Sequence, residues 1–171
     1  PDGPPLTFTP ELNAIEVTQA NPFGGLRQAG GRIGKFQFKL GARNTLDNDF
    51  PIFRYAEVLM MKAEALWRKA PGDANALALV NTVRARAFNP DQPLLSLGNP
   101  NDPYPGPALL QELGREFFAE GKRRQDLIRF GKFGEAWDFK APSAPFRTIF
   151  PIPQPQRVGN PNLAQNPGYP Q

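Results

Sequence analysis

The chain has 171 residues, a length that suits one domain and allows well over half of the unfolded surface to be buried. It contains no histidine and no cysteine, which excludes histidine-based acid–base catalysis, thiol nucleophiles and nearly all structural zinc sites. The net charge of +4 arises from 20 basic and 16 acidic residues that are mixed along the chain, so the charge pattern does not favour a nucleic-acid-binding protein.

Both ends of the chain and one central segment are predicted to lack regular structure. The 21 prolines and 16 glycines concentrate in residues 1–34, 89–107 and 141–171. Residues 1–50 are therefore predicted to be mostly loop or extended. Within them, Phe36, Phe38 and Leu40 alternate with polar residues. This alternation predicts a short strand with one apolar face packed on the helices, which we prefer to a strip that binds nucleic acid.

Residues 51–88 are predicted to form a pair of antiparallel helices. In the first, apolar residues recur every three or four positions from Ile52 to Ala70 and give a continuous buried stripe. Ala70-Pro71-Gly72 stops this helix, and Asp73 stands where the N-cap of a second helix, from about Ala74 to Phe88, belongs. Two amphipathic helices joined by so short a turn are similar to one tetratricopeptide-type unit.

A second helical block is predicted over residues 107–140. Pro107 can open a third helix, Gly121 is predicted to end or bend it, and a fourth helical piece follows over residues 122–131. Residues 141–171 are predicted to be an extended tail. The fold class is therefore predicted to be mainly α, in a single domain, with tetratricopeptide-like helix pairs, long irregular wrapping segments and at most short strands.

Three glutamates of the predicted third helix form the clearest charge pattern. Glu112, Glu116 and Glu120 lie at successive i+4 positions, where like charges repel unless cations reach them from elsewhere in the chain. We therefore predict a structural ion-pair network between packed helices, in which pairing lowers the pKa of the carboxylates. The predicted members are Arg54, Glu57, Arg84, Arg86, Glu112, Arg115, Glu116, Glu120, Arg123 and Asp126.

Catalytic and metal sites are not predicted. The network has enough carboxylates for a glycosidase pair, but a carboxylate paired with arginine is a poor general acid at neutral pH, so no catalytic residue is assigned. Asp47, Asn48 and Asp49 come closest to a cation site. Their spacing matches no known cation-binding loop, and helix capping explains them equally well. No cofactor is predicted.

Aromatic side chains are the candidate ligand-binding groups, because an exposed aromatic ring offers a large face on which a ligand can pack. Trp67 lies in the middle of the first apolar stripe and is predicted to be part of the core. Tyr104 stands between two prolines in the central loop, and Trp137 lies near the end of the second helical block. Tyr104 and Trp137 are therefore the two candidates for ligand contact.

Four stretches of the chain occur in a recognisable order. They are Phe53-Arg54-Tyr55-Ala56-Glu57, Asn81-Thr82-Val83-Arg84-Ala85, Glu120-Gly121 with basic residues before Asp126-Leu127, and a closing Asn160-Pro161 that leads to Asn166-Pro167-Gly168-Tyr169. Together they resemble the C-terminal half of the SusD/RagB family, the surface nutrient-binding lipoproteins of Bacteroidetes-type outer membranes. Lys122-Arg123-Arg124 departs from the family pattern, which often has histidine, arginine and an aromatic residue there.

The resemblance implies the C-terminal portion of a non-enzymatic binding protein. Such a protein captures a glycan or another small nutrient at the cell surface and delivers it to a SusC-like TonB-dependent outer-membrane transporter. It would be surface-exposed on the outer membrane and lipid-anchored through a residue outside this chain. The alternative function is a tetratricopeptide-like protein–protein interaction module.

Overall fold

The computed structural model describes residues 30, 34–36, 39, 41, 49–138 and 140–170, and helices dominate this part of the chain. The helices are α1 (Tyr55–Lys69), α2 (Ala74–Ala85), α3 (Ala108–Glu116), α4 (Arg123–Arg129) and α5 (Gln154–Gly159), with a 3₁₀ turn at Pro145–Thr148. Within the described ranges, β-type pairing is limited to an isolated bridge between Trp137 and Lys140. The predicted mainly α fold is therefore confirmed.

Asp49–Gln171 forms one compact unit, and the helices lie within it. The strand predicted at Phe36, Phe38 and Leu40 lies mostly outside the described residues, where only Phe36 of the three is placed, in a bend. The assignment of residues 1–171 to a single domain stays a prediction. None of the described helices combines the length and the apolar character that crossing a membrane requires.

Helices α1 and α2 form the predicted pair. Gly72 has a φ of +97° in the turn between them, a conformation that glycine adopts without steric cost. The Asp73 carboxylate caps α2 as predicted, since its Oδ1 accepts hydrogen bonds from the backbone N–H groups of Asn75 (2.7 Å) and Ala76 (3.0 Å). Such a cap contributes about 1 kcal/mol of stability. The turn and the cap together direct α2 back along α1.

The core lies where α1, α2 and α3 meet. Its fully buried side chains include Met60, Ala63 and Trp67 of α1, Val80 of α2 and Leu109 of α3. Full burial of large apolar side chains contributes about 1.5–3 kcal/mol each. The Trp67 indole N–H donates to the backbone carbonyl of Gly98 at 2.9 Å, so its polar atom is not left unsatisfied. Trp67 is thus a core residue, as predicted.

The loop between the two helical blocks is fastened to α2 by a side-chain amide. Asn81 Nδ2 donates to the Leu94 carbonyl at 3.0 Å, and Asn81 Oδ1 accepts from the Leu94 N–H at 2.8 Å. The helix ends at Ala85 rather than at the predicted Phe88. After Ala85 the backbone N–H groups of Ala87 and Phe88 bond three residues back, to the carbonyls of Arg84 and Ala85, so the chain continues in tight turns towards Pro90.

The tail contains short helical turns and is not extended throughout, which corrects the prediction for residues 141–171. Proline at the first helical positions of both turns supplies the required φ without loss of a hydrogen bond. The closing Asn166-Pro167-Gly168-Tyr169 motif fastens the end of the tail. Asn166 Nδ2 donates to the Phe150 carbonyl at 2.8 Å, and the Tyr169 hydroxyl donates to the Ile149 carbonyl at 2.7 Å.

Candidate functional site

The three glutamates at the start of the predicted network all meet arginines from other elements. Glu112 lies 2.6 Å from Arg84 of α2, between Oε2 and Nη1. Glu116 lies 2.5 Å from Nη1 of Arg54, and it also pairs with Arg86. Glu120 lies 2.8 Å from Nε of Arg54, and its side chain is only 2% exposed. The ion pairs thus connect α3 and the turn after it to α2 and to the start of α1.

The predicted i+4 row does not run along one helix. Helix α3 ends at Glu116, and Ala119 adopts a φ of +62° in the following turn. Arg54 explains this arrangement, because its Nη2 donates to the Glu116 carbonyl at 2.8 Å while its Nε donates to the Glu120 carboxylate. The guanidinium group therefore satisfies a carbonyl at the helix C-terminus and a carboxylate beyond it.

Arg54 also occupies the N-cap position of α1. The prediction placed Ile52 inside the helix, whereas Arg54 has an extended backbone and α1 begins at Tyr55. Ile52 and Phe53 are consequently exposed. Burial opposes the charge of Arg54, but the hydrogen bonds that its guanidinium donates to Glu120 and Glu116 outweigh this effect and raise its pKa above the ordinary value.

The remaining predicted members are distributed differently. Glu57 pairs with Lys122 at 2.9 Å, although Lys122 was not among the predicted members. Arg115 pairs with Glu112, also at 2.9 Å. Arg123 forms no ion pair with any residue that the structure describes; its Nη1 donates to the Leu110 carbonyl at 2.7 Å. The structural role of the predicted network stays a prediction.

A second group of charges around Glu64 was missed by the sequence analysis. The buried Glu64 carboxylate accepts from Arg129 Nε and Nη2, both at 2.8 Å, and from Arg68 Nε at 2.7 Å. Arg129 also pairs with Asp126 at 2.8 Å. The i+4 spacing of Glu64 and Arg68 was a signal in the sequence, but Arg129 lies 65 residues further on and only the fold brings it near.

The two acidic residues of this group have pKa values shifted in opposite directions. Burial opposes ionisation of Glu64, but hydrogen bonds from Arg129 and Arg68 outweigh it and lower the pKa. Burial raises the pKa of Asp126 despite its bond to Arg129, and the nearby negative charge of Glu64 adds to this rise. The prediction that pairing lowers the pKa of the network carboxylates is therefore wrong for Asp126. Hydrogen bonding to Glu64 raises the pKa of Arg129.

The structure brings the two aromatic candidates together. The rings of Tyr104 and Trp137 stack with centroids 5.9 Å apart and an interplanar angle of 14°. Tyr104 is 37% exposed, and Lys140 Nζ lies 4.2 Å from the centroid of the Trp137 ring. The stack therefore offers an accessible aromatic surface with an ammonium group beside it. Its contact with a ligand stays a prediction.

Of the three residues that came closest to a cation site in the sequence, the structure describes only one. Asp47 and Asn48 lie outside the described residues, and Asp49 is exposed. In the part of the chain that the structure places, acidic side chains do not converge in groups of three or more that could hold a metal ion.

Known proteins match most of this chain. A family model described as the SusD family matches residues 7–144. Starch-binding protein SusD from Bacteroides thetaiotaomicron is 36% identical in an alignment of 132 positions that covers 72% of this chain and 22% of that protein. SusD-like protein P38 from Formosa agariphila is 30% identical in an alignment of 185 positions that covers 99% of this chain and 36% of that protein.

A third relative, SusD-like protein P2 from Formosa agariphila, is 29% identical in an alignment of 143 positions that covers 74% of this chain and 27% of that protein. The alignments with these relatives thus span between 22% and 36% of the relatives' own length. The family match covers more than half of this chain and includes all four of the helices α1 to α4. The chain therefore belongs to the SusD family.

Proposed function

We propose that this chain is part of a non-enzymatic protein that binds a glycan at the cell surface and passes it to a TonB-dependent transporter of the SusC-like type. Membership of the SusD family and similarity to a starch-binding protein support this function. The proposed location is the outer face of the outer membrane, with a lipid anchor outside this chain.

The stack of Tyr104 on Trp137 is the observation that carries the proposal. The C–H groups on the face of a sugar ring pack on aromatic rings, which provide a large apolar surface with a partially negative face. Lys140 donates from Nζ to the Glu135 carbonyl at 2.8 Å, so its position beside Trp137 is fixed. An ordered ammonium group next to an aromatic surface can donate hydrogen bonds to sugar hydroxyls.

The arrangement of carboxylates supports binding without bond cleavage. A glycosidase needs two carboxyl groups that face the scissile bond across an open cleft. Glu112, Glu116 and Glu120 instead have nearly buried side chains, and each bonds to an arginine at the junction of helices. Substitutions that remove these carboxylates are therefore expected to destabilise the fold.

The test is a calorimetric titration of the chain with maltoheptaose and with a panel of other neutral oligosaccharides. Tyr104→Ala and Trp137→Ala should each weaken binding about tenfold, because an aromatic contact of about 1.4 kcal/mol corresponds to that factor. Tyr55→Ala is the matched control, since Tyr55 is an exposed aromatic residue at the start of α1. Binding that is equal in all three variants would place the site elsewhere, and no binding to any glycan would reject the proposal.

The alternative, a tetratricopeptide-like protein–protein interaction module, is favoured by a different observation. Phe53, Tyr55, Val58 and Met61 are large apolar residues that lie more than half exposed at the start of α1. Exposed apolar patches of this kind commonly mark protein interfaces. The glycan titration separates the two functions, because an interaction module without a glycan site binds none of the oligosaccharides.

A further inference from the structure

A basic pocket lies between α3 and the start of α4. Its volume is about 510 Å³, within the range of small-molecule sites. Gln111, Gly114 and Arg115 of α3 line it, together with Phe118 from the turn after α3 and Arg123 from the first position of α4. None of these five residues is acidic, so a ligand in the pocket meets positive charge.

The groups that can hold a ligand are accessible from solvent. Phe118 is 55% exposed, and the Arg115 side chain is 56% exposed. Arg123 is partly buried and uses Nη1 to bond to the Leu110 carbonyl. Its Nε and Nη2 make no hydrogen bond with a described residue, and neither atom is buried. Both arginines therefore present N–H donors that a ligand can reach.

Positive charge exceeds negative charge around the pocket. Arg115 shares the Glu112 carboxylate with Arg84 of α2, at 2.9 and 2.6 Å. Arg123 forms no ion pair with any residue that the structure describes. The charge of Asp126 also acts on Arg123, but that carboxylate is buried and bonded to another arginine. An oxyanion would complete this arrangement, because guanidinium groups form strong, often bidentate hydrogen bonds to carboxylates and similar anions.

Gly114 gives the Arg123 guanidinium its place in the pocket. Glycine weakens a helix interior relative to alanine, so its presence within α3 has a structural cost. An added Cβ at this position would lie 2.8 Å from Nη1 and 3.0 Å from Cζ of Arg123. The missing side chain therefore lets the guanidinium lie against α3, where it bonds to the Leu110 carbonyl at 2.7 Å. The cation is thus held at a defined position.

The remaining lining residues are suited to a sugar. Gln111 Nε2 donates to the Gly106 carbonyl at 3.0 Å, and Gly106 belongs to the same loop as Tyr104. The pocket therefore adjoins the loop that carries the aromatic stack. Gln111 Oε1 can accept a hydrogen bond from a hydroxyl group, and the exposed Phe118 ring offers a face on which an apolar surface packs.

We propose that this pocket binds an acidic sugar, which is a sugar ring that carries a carboxylate or a sulfate group. The acidic group accepts hydrogen bonds from Arg115 and Arg123, the apolar face of the ring packs on Phe118, and a hydroxyl donates to Gln111. This site rests on the proposed glycan-binding function and adds to it the chemical class of the ligand.

Side-chain signals make the test selective. In a chain labelled with ¹⁵N at arginine and tryptophan, the Nε–H signals of Arg115 and Arg123 report on the pocket, and that of Arg86 reports on an ion pair outside it. The indole signal of Trp137 reports on the stack, and that of the buried Trp67 reports on the fold.

The labelled chain is titrated with D-glucuronate, D-galacturonate and D-glucose 6-sulfate. Reference titrations use D-glucose, sodium acetate, sodium sulfate and maltoheptaose. The Arg115 and Arg123 signals should move and saturate with at least one acidic sugar. D-glucose and the two small anions should bind at least about tenfold more weakly, since a difference of about 1.4 kcal/mol suffices. The two kinds of acidic sugar show whether the pocket prefers a carboxylate or a sulfate.

Two variants and a matched control test the assignment. Arg115→Gln should weaken binding of the acidic sugar at least about tenfold. Arg86→Gln removes the same charge from a side chain that is 60% exposed and pairs with another carboxylate of α3, and it should leave the affinity unaltered. Gly114→Ala should weaken binding without loss of stability, because alanine favours the helix while its Cβ displaces the Arg123 guanidinium.

The outcomes distinguish the pocket from the proposed function. Arginine signals that stay fixed with every acidic sugar, while the Trp137 signal responds to maltoheptaose, would overturn the pocket and leave glycan binding intact. Equal losses of affinity in Arg115→Gln and Arg86→Gln, or acetate and sulfate that bind as tightly as the acidic sugars, would also overturn it. If neither the arginine signals nor the Trp137 signal respond to any sugar, the pocket and the glycan-binding function fall together.

Discussion

Glu64 and Asp126 show how the number of donors decides the behaviour of a buried carboxylate. Both lie in the same cluster and both bond to Arg129, yet Glu64 has a second arginine and uses both of its oxygens. Its pKa is lowered, whereas that of Asp126, with one oxygen unpartnered among the described residues, is raised. The pKa values of neighbouring acidic side chains can therefore shift in opposite directions, because the side chains accept different numbers of hydrogen bonds.

Glu64→Gln should lose stability in a pH-dependent manner. Because the folded pKa of Glu64 is lowered, its contribution is present above the unfolded pKa of about 4.3 and is lost as the pH falls through the folded value. We expect a loss of about 1–2 kcal/mol at pH 7, since both arginines are about 40% exposed and solvent screens the pair. Urea unfolding of both proteins between pH 3 and 7, in steps of about one unit, measures it.

Asp126→Asn provides the control with the opposite sign. A raised folded pKa means that the contribution of Asp126 is present below the unfolded pKa of about 3.9 and is lost as the pH rises through the folded value. The stability of Asp126→Asn relative to the native chain should therefore increase towards neutral pH. Parallel pH profiles for Glu64→Gln, Asp126→Asn and the native chain would contradict these assignments.

At the scale of elements, a side chain from a distant part of the chain bonds to the C-terminal end of α3. Arg54 bonds to the last carbonyl of α3 and to Glu120, and the connecting turn places Ala119 at a φ of +62°. This conformation costs a residue with a Cβ atom about 1–2 kcal/mol. Gly131, which follows α4 at a φ of +69°, has no such cost.

Ala119→Gly should therefore stabilise the chain by about 0.5–1 kcal/mol, because relief of the left-handed strain exceeds the added flexibility of the unfolded state. The exposed Ala78 in α2 is the matched control. There the same replacement should destabilise the chain by about 1 kcal/mol, since glycine weakens a helix interior. Thermal and urea unfolding measure both changes. A loss of stability in Ala119→Gly similar to that in Ala78→Gly would contradict the role of the turn.

At the scale of the whole unit, contacts made by Gln165, Gly168 and Tyr169 hold the end of the tail against its own earlier residues. Gln165 bonds through its side-chain amide to both the N–H and the carbonyl of Ile152. The Tyr169 ring meets Phe146 edge-on with centroids 4.8 Å apart. Gly168, at a φ of +90°, lies so close to Phe146 that an added Cβ would approach the ring to 2.5 Å. The absence of a side chain at this position allows the tail to fold back.

Gly168→Ala should release the end of the tail, because the added methyl group meets both the backbone restriction and the Phe146 ring. Limited proteolysis should cut the tail of this variant at least about tenfold faster, since local opening that is easier by about 1.4 kcal/mol raises the open population by that factor. Gly159→Ala is the control, since an added Cβ there meets nothing within 4 Å. Equal cleavage of both variants would show that Gly168 does not hold the tail.

The sequence by itself determined the presence of helices α1 to α4, the Asp73 cap, the burial of Trp67 and the family. These features depend on periodicity, on capping chemistry and on motifs whose residues lie close together in the chain. The sequence analysis also selected Tyr104 and Trp137 as candidates, although nothing in their spacing indicated that the two rings stack.

Only the tertiary structure decided which charges meet. Glu64 joins Arg129 across 65 positions, and Arg54 reaches Glu120 across 66, so neither pair has a local signature. The structure also showed that α1 begins at Tyr55 and that α3 ends at Glu116. Hydrogen bonds and ion pairs act over a few ångströms in space, and helix packing alone determines which distant residues come that close.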